Sequence, residues 1–401
     1  MKHLLFLSQR IPYPPNKGDK LRSFSVLRHL AKSWKIHLGC FVDNPSDWQY
    51  VEDLHPYCAD LMCVGLDRRW AKLRSLGGLI TGSSLSEHYF HSAQLSKWVE
   101  LTLRDVQPPA AFLYSSVMGQ YLRPGSQFRP HRVVMDFVDV DSDKWRQYAN
   151  MHSWPMNWVY SRESRRLLAF DRNVASHTDA SVFVSAPEAV LFRHLAPEAA
   201  SKTYAISNGV DFSYFSAEAS QPNPFPSGCR GAVFTGAMDY WPNVDAVTWF
   251  AESMFPAIRE RAPDAVFFIV GGNPTTMVKK LNELPGVTVT GRVRDVRPYL
   301  AHAAVSVVPM RVARGIQNKV LEAMSMGKVV VTTDQGLEGI DAVPGRDLLV
   351  ANDSDAFIST TLKVLTDSSL AQIGDAARRC IVSRYSWDDK LAEYEHLLSS
   401  D

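Results

Sequence analysis

Short β-branched and aromatic runs alternate with stretches in which apolar residues recur at helical spacing. In the first half, the runs His3–Leu7, Lys35–Phe41, Asp60–Val64, Ala111–Tyr114, Arg132–Asp136 and Ala180–Val184 predict strands. The spacing predicts helices over Asp19–Lys32, Ser46–Tyr57, Ala93–Val106 and from about Trp154 to Ser176. The second half resumes the alternation, with strands expected at Ala232–Phe234, Val266–Val270, Val287–Thr290, Val305–Val308, Val329–Thr332 and Asp347–Val350. Between the halves lies NGVDFSYFSAEASQPNPFPSG, rich in Ser, Pro, Asn and Gly, the best linker in the chain. Two successive strand–helix arrays predict an α/β protein of two doubly wound, Rossmann-like domains facing each other across a cleft. The expected boundaries are 1–208 and 209–384. From about Trp387, Leu391, Tyr394, Leu397 and Leu398 fall on one helical face, so 385–401 is expected to pack back on the first domain.

Bulk numbers narrow the classes. At 401 residues the chain exceeds the usual size of one core. A net charge of +1 argues against bulk binding to nucleic acid. The five cysteines are odd in number, scattered and free of any CxxC pair, which points to a reducing, cytoplasmic setting. The apolar start of MKHLLFLS is too short for a signal-peptide core and reads as a first strand. No run reaches the length of a membrane span.

Chemistry concentrates in VSVVPMRVARGIQNKVLEAMSMGKVVVTTDQGLEG, residues 305–339. A buried run ends in a loop carrying Arg311 and Arg314. A helix is expected to start near Gly315, with Asn318, Lys319 and Glu322 on its first turns, and Gly327 closes it. Such a βαβ unit aims a helix N-terminus at the crevice beyond the strand ends, where free N–H groups favour an anion. Arg311, Arg314 and Lys319 add full positive charge, and Glu322 is placed to accept hydrogen bonds from sugar hydroxyls. The pattern fits a diphosphate. Glu322 and Lys319 read equally as solvated helix residues if taken singly.

Weaker signals lie elsewhere. Gly18 follows Pro14, Pro15 and Asn16; it marks either a turn or a backbone approach to ligand. Gly236, at the end of Val233–Thr235, has the same two readings. Gly271-Gly272 after Phe267–Val270 resembles a nucleotide-binding turn, and Asn208-Gly209 a hinge. Asp136, Asp139, Asp141 and Asp143 follow a strand-like run. Asp139 is the best candidate for a catalytic base, while Asp141 also suits a helix cap. DRRWAKLRSLGGLI and WPMNWVYSRESRR mix cations with aromatics; they suit either an anionic lipid surface or ordinary amphipathic helices.

Several of these segments together resemble the retaining family-4 glycosyltransferases of GT-B fold, most closely the sugar transferases associated with exosortase and PEP-CTERM exopolysaccharide loci. PYPPNKGDKLRSFSVLRHLA is similar to that family's first loop and helix, DFVDVDSDKW to its acidic segment, and ISNGVDFSYF to its interdomain segment. VFTGAMDYWPNVDAVTWF and KVLEAMSMGKVVVTT resemble the opening of the donor domain and its donor-site helix. The resemblance implies transfer of a sugar, with retention, from a nucleotide-diphosphate sugar to a glycan or polyprenyl-linked acceptor. It implies no resident cofactor or metal, no nucleic acid, and a cytoplasmic site of action, peripheral to the inner face of the membrane. The candidate donor-binding residues are Gly18, Gly236, Arg311, Gly315, Asn318, Lys319 and Glu322, and the candidate catalytic residues Asp139, Lys319 and Arg314; the resemblance itself supplies only the role of Glu322. The family's E-x7-E pair is incomplete: Glu322 matches the second glutamate, which contacts ribose there, but Arg314 occupies the first position. The alternatives are a nucleotide-sugar epimerase of similar fold and a non-catalytic scaffold. A dinucleotide-binding dehydrogenase fits poorly, because the first strand leads into Pro-rich sequence and not G-x-G-x-x-G.

Overall fold

The structure is a computed structural model of all 401 residues. It describes the chain apart from Asn16, Lys17, Arg123, Ala217–Ala219, Arg314, Ser400, Asp401 and the side chain of Ile80. The chain divides into two compact units: Met1–Ser207 with Asp388–Asp401, and Asn208–Trp387.

The first unit is a seven-stranded parallel sheet: β1 Lys2–Ser8, β2 Trp34–Val42, β3 Cys58–Gly65, β4 Ala110–Tyr114, β5 Arg132–Val138, β6 Ala180–Phe183 and β7 Thr203–Ala205. Their spatial order is β3-β2-β1-β4-β5-β6-β7. The second unit is a six-stranded parallel sheet: β8 Arg230–Thr235, β9 Ala265–Val270, β10 Val287–Gly291, β11 Val305–Val308, β12 Val330–Thr332 and β13 Leu349–Val350, ordered β10-β9-β8-β11-β12-β13. Central strands are buried along most of their length, as sheets covered on both faces require. In each sheet the order reverses beside the first strand, at β1/β4 and at β8/β11. Ligands of doubly wound sheets sit beyond the strand ends at such points.

Aromatics fill both cores. Phe137, Phe183 and Phe192 stack in the first unit, and Phe250, Phe255, Phe267 and Phe357 pack in the second. Each such side chain contributes roughly 1.5–3 kcal/mol on burial. The helix Trp387–Ser399 packs on the first unit through Tyr394, whose hydroxyl donates to Asp136 at 2.6 Å and accepts from Arg22 at 2.5 Å. Arg22 and Asp136, both fully buried, are themselves paired at 2.8 Å. A buried charge pair of this kind costs about 3–5 kcal/mol when one partner is removed.

Four local expectations change. Ser46–Tyr57 is not one helix but two 3-10 turns, Pro45–Tyr50 and Glu52–Tyr57, the second containing Pro56. Proline forfeits a backbone donor and crowds the preceding turn, so a continuous α-helix fails there. Asp141–Met151 is a helix outside those expected from spacing, and Asp141 is its first residue and not its cap, a place held by Val140. β7 is three residues long with two exposed, leaving no hydrophobic pattern to detect. The helix expected from Gly315 begins at Asn318; Gly315 itself has φ +64° and lies outside the helix.

Candidate functional site

The second unit's reversal point gathers most of the expected donor residues. β8 ends at Thr235 and is followed by Gly236, and β11 ends at Val308 and leads to the helix Asn318–Ser325. Gly236 sits where a side chain has no room: a Cβ there would lie 2.8 Å from Asn243 Nδ2 and 3.4 Å from Lys319 Cε. Gly327 has φ +67° and ends the helix, accepting the left-handed conformation that other residues resist.

Lys319 reaches back to the end of β8. Its Nζ donates to Asn243 Oδ1 at 3.1 Å and to Gln317 Oε1 at 3.0 Å, and stands 5.2 Å from the centroid of Phe234. Both acceptors are neutral amide oxygens, so its charge is held but not cancelled. An ammonium has three donors, and two are engaged. Burial pushes the Lys319 pKa down to about 8, with the Glu322 carboxylate pulling the other way. Glu322, one turn along, is half-buried and accepts no hydrogen bond from any described residue. Desolvation pushes its carboxyl up to about 7, with Lys319 opposing. A desolvated carboxylate and a desolvated ammonium on one helix face, each with unused hydrogen-bonding capacity, are poised for a polar ligand.

Asn318 is the first residue of the helix, and its Oδ1 accepts from Asn208 Nδ2 at 2.9 Å. Asn208, read as part of a hinge, therefore braces the helix start. Its neighbour Gly209 packs against Trp387, which a Cβ would meet at 2.7 Å. Arg311 departs from its expected place. Its guanidinium is paired with Asp245 on the helix Trp241–Ser253 and lies 5.0 Å from the Trp249 ring. Asp245 neutralises the charge that the sequence assigned to a diphosphate. Arg314 lies outside the described residues.

Asn243 is the site residue that sequence reasoning passed over. It donates to Ala237 O at 2.9 Å while accepting from Lys319, and so ties the loop after β8 to the helix. A polar residue beside proline in the helix-opening TGAMDYWPN was the available signal. Gly271, which resembles a nucleotide-binding turn in the sequence, has a packing reason of its own. A Cβ there would fall on the carbonyl oxygen of Gly236, so the glycine exists to let two strand-end loops touch.

In the first unit Gly18 is the exposed first residue of the helix Gly18–Leu30, beside the β1/β4 reversal. The acidic cluster separates. Asp136 belongs to the buried Arg22 pair. Asp139 and Asp141 share Lys144 at 2.8 and 2.9 Å, and Asp143 is bonded to Arg146 and Gln147. Asp139 keeps one buried oxygen, Oδ1, without a hydrogen bond. It follows Val138, a β-branched residue at φ +71° where β5 bulges against β6. That backbone is costly and re-aims the chain at the strand end. Among the described residues no three His, Cys, Asp or Glu side chains stand together as a metal-binding group.

Residues 230–367 match the family model described as "Glycosyl transferases group 1". This stretch, most of the second unit, is similar to the group 1 glycosyltransferase domain. Over 103 residues the chain is 28% identical to a lipopolysaccharide 1,2-N-acetylglucosaminetransferase of Salmonella typhimurium (strain LT2), a match covering 24% of this chain and 26% of that protein. Among solved structures it is similar to a sucrose-phosphate synthase from Thermosynechococcus elongatus, with TM-score 0.72 and 16% identity over 99% of this chain and 98% of that one. It is likewise similar to HepE of Anabaena in complex with UDP and glucose, with TM-score 0.69 and 15% identity over the whole of both chains. WaaG, a glycosyltransferase of lipopolysaccharide biosynthesis, gives TM-score 0.69 and 15% identity over 99% and 100%. These likenesses carry the fold: two parallel-sheet, Rossmann-like α/β domains, as in GT-B glycosyltransferases. The site described above falls inside the matched stretch, with Gly236 near its start and Lys319 and Glu322 in its second half.

Proposed function

We propose that this protein transfers a sugar, with retention of anomeric configuration, from a nucleotide-diphosphate sugar to a glycan or polyprenyl-linked acceptor in cell-surface or exopolysaccharide synthesis. One observation carries the reading. At the β8/β11 reversal a lysine ammonium is held beside a glycine that leaves backbone open, and the same helix presents a carboxylate with no hydrogen bond among the described residues. Lys319 is suited to the diphosphate, whose negative charge grows as the glycosidic bond to it breaks. Preorganised positive charge is commonly the largest catalytic term for such a leaving group. Glu322 is suited to the ribose hydroxyls, which would supply the donors it lacks. Gly236, Gly315 and Asn318 complete the donor site, Arg314 adds charge to it, and Arg311 joins only if it exchanges Asp245 for phosphate.

The first unit takes the acceptor, with Gly18 near it and Asp139 as the candidate base. We assign no metal to the reaction and place it in the cytoplasm, peripheral to the membrane where a lipid-linked acceptor would be met. HepE was solved with UDP, which makes UDP the first nucleotide to try. The test is a thermal-shift screen against UDP, GDP, ADP and their sugars, followed by product analysis with the donor that binds. A ligand that favours the folded state raises its melting temperature. If none shifts the transition, the donor reading is wrong. If a donor binds and returns as its own epimer without acceptor, the protein is an epimerase.

A further inference from the structure

Large apolar side chains are unusually exposed in two neighbouring segments of the first unit. The helix Arg68–Ser75 and its continuation expose Trp70 at 71%, Leu73 at 59% and Leu76 at 52%. The helices Asp141–Met151 and Met156–Ser176 form a hairpin whose tip is exposed at every residue from 151 to 158. Trp154 there is 82% and Trp158 52% exposed. The two segments adjoin. One helical turn beyond Trp158, Arg162 donates to Gly78 O at 2.6 Å and to Ser83 O at 3.2 Å, while Glu163 accepts from Ser84, Leu85 and Ser86. These bonds fix the stretch that follows the Arg68–Ser75 helix against the hairpin. Scattered apolar residues are ordinary on a protein surface, whereas a contiguous group of this kind marks a contact.

The charge around the surface selects the partner. Arg69 and Lys72 are exposed on the first helix and Arg165 and Arg166 on the second, none paired to a carboxylate among the described residues. Glu163 is buried and accepts from four N–H and O–H donors, Glu87 accepts from Ser84 N, and Asp67 is engaged as the cap of the first helix by Arg69 N and Trp70 N. Tryptophan rings prefer the boundary between water and hydrocarbon, and unpaired cations add attraction to anionic headgroups. A protein partner would want a deeper core and matched acids, whereas a shallow tryptophan-and-cation face fits a bilayer.

We infer that this face, from Trp70 to the Trp154–Trp158 hairpin tip, docks the protein onto an anionic phospholipid bilayer. The inference gives the peripheral location proposed above a named surface, and it holds whichever sugar is moved. The test is cosedimentation of the full-length chain with phosphatidylcholine vesicles, with and without phosphatidylglycerol. Binding is expected only where phosphatidylglycerol is present, with a blue shift of tryptophan emission. Each of Arg69→Ala and Lys72→Ala should lower the partition about five-fold. The double variant Trp154→Ser/Trp158→Ser should lose the emission shift and most of the binding at an unchanged melting temperature. Trp241→Ser, at an exposed tryptophan of the second unit, should bind as wild type. Equal binding to neutral vesicles, wild-type binding by the face variants, or no binding by wild type each overturns the inference. Self-association abolished by the same variants would also overturn it, in favour of a second copy. Sugar transfer to a soluble acceptor is measured in parallel. Transfer without vesicle binding sinks this surface alone, and vesicle binding without transfer sinks the proposed activity alone.

Discussion

A Cβ on Gly271 would sit 1.6 Å from the carbonyl oxygen of Gly236. The two loops leaving β8 and β9 touch backbone to backbone, with Gly236 N donating to Val270 O at 3.0 Å and Met238 N to Gly272 O at 2.9 Å. This contact sets the floor of the crevice into which Lys319 reaches. Gly271→Ala cannot be absorbed by a rotamer change, because the obstructing atom is main chain. It should lower the melting temperature by several degrees and abolish nucleotide binding together with it. A Gly271→Ala protein that melts and binds as wild type would mean the loops separate freely and the crevice floor is soft.

Glu322→Gln should separate stability from binding. The folded carboxyl has its pKa raised to about 7 by desolvation, well above the usual carboxylate range. A raised pKa means that the folded state favours the neutral form. Stability is therefore intact in acid and is lost as pH climbs from the ordinary carboxylate pKa through about 7. Glutamine, always neutral, escapes that loss. The variant should melt above wild type at pH 8, with the gap narrowing towards pH 5. Its donor affinity should nevertheless fall, since hydrogen bonds to a charged group contribute roughly 1.5–3 kcal/mol. Unchanged affinity in a folded variant would remove Glu322 from the site.

Sequence and structure agree where hydrophobicity is periodic and dense. Each of the twelve strand-like runs named in the sequence overlaps a strand of the two sheets, and of the strands among the described residues Thr203–Ala205, too short to alternate, was not foreseen. The polar helix Asp141–Met151 escaped because its stability comes from packing on Met156–Ser176 and not from an apolar stripe of its own. At the site, the motif around Lys319 was legible as chemistry, but partners were not. Nothing in the local sequence announces that Asp245 takes Arg311 or that Lys144 takes Asp139. Those acids and cations meet through tertiary placement, which sets hydrogen-bond geometry only after the sheet has formed.

The Asp-x-Asp spellings at 139–143 invite a metal, and the structure gives their carboxylates other work. Asp139 and Asp141 hold Lys144, and Asp143 holds Arg146. Transfer is expected to continue near its normal rate in excess EDTA. Asp139→Asn should reduce turnover more than donor affinity if the residue deprotonates the acceptor. Loss of activity on chelation, with recovery on adding manganese, would move the donor chemistry to this segment and contradict the assignment to Lys319.

Arg314 stands where the resembling family has the first glutamate of its pair. Arg314→Glu restores the usual spelling, and we expect it to weaken donor binding and slow transfer. In the proposed site a cation at 314 faces phosphate, and a carboxylate there would repel it. Initial-rate measurements over a range of donor concentrations decide the matter. A gain in rate would show that glutamate is the working residue and the arginine a deficit.

The two shifted pKa values on one helix also predict a narrow pH window. Donor binding needs the Glu322 carboxylate ionised to accept from ribose, a state reached above about 7. It also needs Lys319 protonated to meet the diphosphate, a state held below about 8. Affinity for the nucleotide-diphosphate sugar should therefore peak near neutrality and fall on both sides, by up to about ten-fold per pH unit on each limb when one proton is linked. Binding on the alkaline side should take up a proton, because the dianionic ligand restores the charge that burial disfavours. Calorimetry in buffers of different ionisation enthalpy measures that proton directly. Lys319→Arg keeps the cation at every accessible pH. It should erase the alkaline limb while leaving the acid one, although its planar head cannot reproduce both bonds to Asn243 and Gln317 and the maximum affinity should be lower. An alkaline limb that survives in Lys319→Arg would assign the titration to another group and leave Lys319 outside the diphosphate site.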